Sequence, residues 1–223
     1  LAGDGHRREG ADPLLDPVFS LSGVKAPSIA YVGVASDDDR GFFKWMASSF
    51  KLAGSGPVRL APMAATGADL EKATAILDDA DLVFVTGGDV EAGMRILHER
   101  RMLPHLTRLF RAGKPFFGLS AGSIMLARAW VRWANPNDDQ SAGVFDCMGF
   151  APVLCDMHAE SDDWVELRTL LKLVPGSATG YGVPGGAALC VMPDGRVAAL
   201  GRPIDRYKVR AGRVTPLIPL APL

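Results

Sequence analysis

Apolar positions along the chain alternate between short unbroken runs and spacings of three or four. Residues 28–35 form a β-rich run, and beyond the polar stretch 36–40 the positions Phe42, Met46 and Phe50 fall four apart. This pattern predicts a strand feeding an amphipathic helix. Gly54 and Gly56 stop that helix, residues 58–63 read as a second strand, and Leu70, Ala73, Ile76 and Leu77 mark the next helix. Residues 82–85 are unbroken apolar sequence, as a buried strand requires. Residues 90–112 carry one or two helices, and residues 115–118 lead into another short strand. Upstream, Asp12-Pro13 opens a helix with Leu14, Leu15, Val18 and Phe19 as its face and Gly23 as its stop, and residues 1–3 read as the stump of a first strand. Past about residue 180 the rhythm changes to apolar runs at 187–192, 196–201 and 204–209, with turns at Asp194-Gly195 and Ala211-Gly212. The alternation predicts an α/β fold in a single domain over 1–223. Its sheet is mainly parallel with helices on both faces, and antiparallel C-terminal strands close it.

Composition narrows the function. Hydrophobic residues make up 48% and charged residues 22% of the chain, enough to build a sizeable core. Lys plus Arg total 24 against 25 Asp plus Glu, for a net charge of −1, which argues against a generic nucleic-acid binder. Cys147, Cys155 and Cys190 have no C-x-x-C spacing, so neither a disulfide framework nor a metal site is expected, and a reducing, cytoplasmic location fits. No apolar stretch approaches the ~18 residues of a membrane span, so no membrane partner is expected. The chain opens at Leu1 rather than methionine, which leaves room for an upstream segment.

The sharpest chemical feature is Gly118-Leu119-Ser120-Ala121-Gly122, lying between a predicted strand and the apolar helical run Ile124, Met125, Ala127. That is the setting of a nucleophile elbow. Flanking glycines permit the tight turn, and the N–H groups at the helix start can stabilise an oxyanion. A serine nucleophile needs a base, and the chain has four histidines. His98 and His105 read as helix-surface residues and His6 lies in a polar terminus, which leaves His158, at the end of an apolar segment, as the natural partner. A carboxylate should orient the imidazole. Asp138, Asp139, Asp156 and Glu160 all qualify on position. Thr86-Gly87-Gly88-Asp89 follows a strand at the same sheet edge and offers backbone N–H groups for the other half of an oxyanion hole, or else a plain turn with Asp89 as helix cap. Gly180-Tyr-Gly182-Val-Pro-Gly185 matches G-x-G-x-x-G in letters, but Pro184 and a strand-like run replace the helix a pyrophosphate requires, so no dinucleotide cofactor is expected. Asp37-Asp38-Asp39 reads as a solvated cluster at a helix start.

Gly87-Gly88 after a strand, Gly118-Leu-Ser-Ala-Gly-Ser123 about thirty residues on, and a histidine ending a strand together resemble the dipeptidase E and cyanophycinase family of serine peptidases. Residues 30–36 resemble that family's second strand with its Ala-Ser ending, and residues 181–189 its late glycine-rich turn and strand. The resemblance implies a class I glutamine amidotransferase-like fold with serine in place of cysteine. It implies Ser120 as nucleophile, His158 as base and the N–H groups of Gly88 and Ala121 as the oxyanion hole. It nominates Asp138 as the acid, because Asn137-Asp138 reproduces an Asn-Asp pair of the family. A short peptide is the implied substrate, an Asp-Xaa dipeptide or an aspartate-linked polymer by analogy, with no cofactor and the oligomeric state left open, a homodimer among the options. Two positions depart from the pattern: Asp89 stands where asparagine is usual, and Gly185 where glutamate is usual in the late turn. They motivate an alternative, a non-catalytic binding or regulatory protein on the same fold. An α/β-hydrolase esterase fits less well, since no histidine follows His158.

Overall fold

The computed structural model describes residues 14–223. The expected helix start at Asp12-Pro13, the strand stump at residues 1–3, and His6 lie outside the described residues. The described chain packs as two compact units, residues 14–123 and Ile124–Leu223.

In the first unit, α1 (Leu15–Ser20) precedes β1 (Ile29–Val32), α2 (Arg40–Leu52), β2 (Val58–Ala61), α3 (Leu70–Asp79) and β3 (Leu82–Val85). There follow α4 (Val90–Glu99), α5 (Leu103–Arg111), β4 (Phe116–Gly118) and the start of α6 (Ala121–Leu126). The strands form one parallel sheet, ordered β2-β1-β3-β4. Parallel register aligns Ile29 with Leu82, Tyr31 with Phe84, and Phe84 with Phe117, so alternate residues build one apolar face. Phe50 of α2 packs edge-on there, its ring centroid 4.9 Å from that of Phe84 and 5.6 Å from that of Phe117. Burying such rings contributes roughly 1.5–3 kcal/mol each. β1 and β3 are buried along their whole length, as their unbroken apolar sequence requires. Helix starts are fixed locally: Asp39, Asp69 and Asp89 accept the N–H groups of Phe42, Lys72 and Ala92 as N-caps of α2, α3 and α4.

The second unit, entered through the end of α6, contains β5 (Ala129–Trp133), β6 (Ala142–Asp146), β7 (Leu154–Met157), α7 (Val165–Leu173), β8 (Thr179–Val183) and β9 (Ala188–Val191). It ends in β10 (Val197–Leu200), β11 (Ile204–Arg210) and β12 (Arg213–Leu220). One four-stranded sheet runs β12-β11-β8-β7, with β7 and β8 parallel and β11 antiparallel to both its neighbours. The expected C-terminal antiparallel strands are present, but β9 with β10 and β5 with β6 each form a separate two-stranded sheet. Helix α7 buries Leu167, Leu170 and Leu171 in a core shared with Val131, Leu154, Trp164 and Val209.

The glycines of the rejected dinucleotide motif serve this packing. A Cβ on Gly180 would lie 2.8 Å from Leu167 Cδ1, and one on Gly182 would lie 2.5 Å from the Trp164 ring. Both lie inside β8, where their bare backbone lets α7 and its leading tryptophan settle on the strand. Trp164 is anchored in turn, its Nε1–H donating to Asp205 at 2.9 Å.

Asp156, on β7, is buried with one oxygen accepting Met157 N–H at 2.8 Å. Burial pushes its carboxyl up from the usual 3.8 to about 6, against the Met157 bond and with added repulsion from Glu166 and Asp162. The folded protein therefore holds this proton more tightly than the unfolded chain. Its charge penalty is absent below about pH 4, grows between pH 4 and 6, and reaches about 3 kcal/mol above that range. Asp156→Asn keeps the acceptor for Met157 N–H and removes the charge. Urea unfolding is expected to find the variant more stable by roughly 1–3 kcal/mol at pH 8 and scarcely different at pH 4. Equal stability of the two proteins at pH 8 would contradict a buried, ionised Asp156.

Candidate active site

Ser120 follows β4 and immediately precedes α6, with φ of 49°. A non-glycine residue in this left-handed region costs about 1–3 kcal/mol and persists only where its surroundings hold it. Here the surroundings do so through backbone contact. Leu119 N–H donates to Val85 O at 3.1 Å, and Gly122 and Ser123 N–H groups close the turn onto Leu119 O and Ser120 O. A Cβ on Gly122 would lie 2.1 Å from Val85 O, and one on Gly118 would lie 2.6 Å from the Gly122 carbonyl carbon. The elbow is thus tight because β4, the end of β3 and the start of α6 meet backbone to backbone. Ser120 is half-buried.

The double-glycine turn lies alongside. A Cβ on Gly87 would be 3.3 Å from Ser120 Cβ, so the turn after β3 and the serine are neighbours. Gly88 has φ of 139°, and a Cβ there would overlap Ala35 O at 1.9 Å. Asp89 N–H donates to the same Ala35 O at 2.8 Å. The Asp89 carboxylate is engaged in capping α4, a task asparagine performs equally well, so the departure at this position has a local structural account.

What fixes Ala35 was not visible in the sequence. Asp38, expected in a solvated cluster, is buried, and its carboxylate accepts Met63 and Ala64 N–H groups, each at 2.7 Å. Arg100 holds the same segment from the other side, donating to the carbonyls of Met63, Ala64 and Ala65. Beneath the turn, the fully buried Tyr31 hydroxyl donates to Thr86 Oγ1 at 3.0 Å. Burial raises its phenol above the ordinary 10.0, so it stays a donor at neutral pH. The turns following β1, β2 and β3 are therefore tied into one frame around Gly88.

In the second unit His158 follows β7, exposed and at φ of 44°, with its N–H donating to Val183 O at 2.9 Å. Among the other histidines, His98 is exposed near the end of α4, and His105 Nε2 lies 3.2 Å from Asp78 on the helical surface, as expected of structural residues. Asp138 is exposed in the loop between β5 and β6, and its carboxylate accepts Gln140 N–H at 2.9 Å within its own turn. Asp139 is exposed beside it. Glu160 accepts Gly185 N–H at 2.9 Å. Gly185, where the resemblance leads one to expect a glutamate, is thus the residue that a glutamate from elsewhere in the chain touches. Burial pushes the Cys147 and Cys155 thiols up to about 12, which keeps both protonated at neutral pH. Among the described residues no group of three or more His, Cys, Asp or Glu side chains could hold a metal ion. No described helix is long and apolar enough to cross a membrane.

A serine held at positive φ between a parallel strand and a helix, with a double-glycine turn against it, defines an α/β protein built around a strand–turn–helix elbow. Comparison with known proteins gives the family. The model of peptidase family S51 matches residues 1–197, and the chain belongs to that family. Peptidase E of Pasteurella multocida (strain Pm70) is 25% identical over 127 residues, a match covering 53% of this chain and 54% of that protein. The chain thus spans about half the length of the curated relative it matches. A peptidase from an acI-B1 Actinobacterium shares the fold with a TM-score of 0.69 at 16% identity, over 97% of this chain and 95% of that one.

Proposed function

We propose that the protein is a serine peptidase acting on short peptides, with Asp-Xaa dipeptides and aspartate-linked polymers as the substrates to try first. The observation that carries this reading is the half-buried Ser120 at positive φ in the elbow beside Gly87-Gly88. Ser120 Oγ attacks the scissile carbonyl carbon while His158 takes the hydroxyl proton, and the N–H groups of Gly88 and Ala121 hold the resulting oxyanion. Collapse of the tetrahedral intermediate expels the amine, which leaves with the proton from His158. A water, deprotonated by the same imidazole, then attacks the acyl carbon and frees Ser120. Asp138 is the acid assigned to orient His158. Membership of the peptidase family and the name of the Pasteurella relative support the reaction class.

The test pairs two measurements on the purified chain. Asp-Xaa, isoaspartyl and other short peptides are incubated with it and free amino acids are followed by mass spectrometry. In parallel, a fluorophosphonate probe is applied and its adduct is mapped by peptide sequencing. Cleavage together with an adduct on Ser120 is the expected result. A folded sample that neither cleaves any peptide nor takes the probe would replace this reading with that of a binding protein on the same fold.

A further inference from the structure

We propose that Glu160 is a positioning residue for His158, acting through the backbone N–H of Gly185; the inference rests on the reading of His158 as the catalytic base. The parallel pairing of β7 with β8 ends at Met157 opposite Val183. One further backbone bond, His158 N–H to Val183 O at 2.9 Å, carries the pairing to the first residue of the turn. There the chain leaves the sheet, and three non-glycine residues of the turn take positive φ: His158 at 44°, Asp163 at 57° and Trp164 at 57°. A turn with that much unfavourable backbone keeps one shape only if it is held at several points. Its far end is held, because Trp164 is buried and its Nε1–H is bonded to Asp205. Its near end is attached to the sheet through the backbone bond of His158 to Val183.

Glu160 supplies the hold between them. Its Oε1 accepts Gly185 N–H at 2.9 Å, while Arg202 Nη1–H donates to Gly185 O at 2.7 Å. The same residue of the late turn is therefore gripped at its N–H by a carboxylate and at its carbonyl by a guanidinium. Charge-assisted bonds of this kind are stronger than neutral ones. Because Gly185 lies two residues beyond Val183, the Glu160 contact ties the turn to the exit of β8 just past the point where His158 is attached. The imidazole is thereby presented from a turn fixed at both ends and in the middle. Glu160 is itself exposed, so replacing it leaves the core untouched.

The test separates position from charge. Glu160→Ala removes the acceptor, whereas Glu160→Gln keeps an oxygen in the same place without the charge. Glu160→Ala is expected to lower kcat about 10-fold with KM within about 2-fold, the signature of a misplaced reacting group. Glu160→Gln is expected to retain at least about half of kcat, and the acid limb of its kcat/KM profile should keep the midpoint of the unmodified protein. If Glu160→Ala turns over normally, the positioning role is overturned. If Glu160→Gln is as slow as Glu160→Ala, or its acid limb moves, Glu160 acts on His158 by charge and the proposal is wrong. A second measurement needs no turnover. The His158 Cε1–H resonance, assigned by its loss in His158→Gln, is expected to be single in the unmodified protein and in Glu160→Gln, and broadened or doubled in Glu160→Ala. That result in a protein that cleaves nothing would retain the positioning of the turn while the peptidase reading fails. An unchanged resonance in Glu160→Ala would sink the positioning itself.

Discussion

Ser120→Ala is expected to lower peptide turnover at least about 10,000-fold, the loss typical of removing a nucleophile whose base is left without a partner in the chemistry. Its melting temperature should stay within a few degrees of that of the unmodified protein. The reason for the second half of the expectation is structural. Alanine keeps the Cβ that Gly87 faces, adopts the left-handed backbone at φ of 49° no less readily than serine does, and leaves untouched the backbone bonds that close the elbow. Residual turnover above about one part in a thousand, in protein free of unmodified enzyme, would assign the chemistry to another residue. Unfolding of the variant would instead show that the hydroxyl holds the turn.

Gly88→Ala should be damaging in both respects. A methyl there would lie 1.9 Å from Ala35 O, on a backbone with φ of 139° that side-chain-bearing residues rarely adopt. Relief requires rotating the Gly88 peptide or moving the turn after β1. That turn is itself pinned by Asp38 to Met63 and Ala64, and through them to Arg100. Destabilisation of about 2 kcal/mol or more is expected by urea unfolding. A further drop in turnover of at least about 100-fold is expected if the Gly88 N–H holds the oxyanion. Gly87→Ala is the control, because its methyl would meet Ser120 Cβ at 3.3 Å without a left-handed backbone. It should cost little stability while crowding the nucleophile. A fully active, fully stable Gly88→Ala protein would mean that the turn has room to shift, and the oxyanion assignment would fall with it.

The parallel half of the fold was readable because its signals are local. Unbroken apolar runs became β1 and β3, the four-residue spacing of Phe42, Met46 and Phe50 became α2, and the glycines around Ser120 became the elbow. In the second unit the apolar runs at 187–192, 196–201 and 204–209 became β9, β10 and β11, whereas other elements were hidden for identifiable reasons. Only Ala127 and Arg128 separate α6 from β5, with no glycine or proline between them, so helical and strand patterns run together. Helix α7 opens without a side-chain cap, behind Trp164 in a left-handed conformation, and thus lacks the usual start signal. β12 contains Pro216 and Pro219, which argue against a strand, yet it lies at the edge of its sheet, where a missing N–H is tolerated. Around the candidate site, the placement of Ser120 after β4, Gly88 after β3 and His158 after β7 was legible from motif and position. The burial of Asp38 and the contact of Glu160 with Gly185 were not, since each joins residues about 25 positions apart through no sequence pattern.

The crowding around the elbow bears on how variation at this site should be interpreted. At Gly88 and Gly122 a methyl would overlap a carbonyl oxygen, and at Gly118 it would overlap the backbone at the start of α6. A deep mutational library selected only for soluble, folded protein should therefore be as depleted at these three codons as one selected for peptide cleavage. Ser120 should part company with them, accepting alanine or glycine under the first selection and nothing under the second. The difference between the two maps, rather than depletion in either, would mark out the chemistry, because around this serine the scaffold is as intolerant as the reaction.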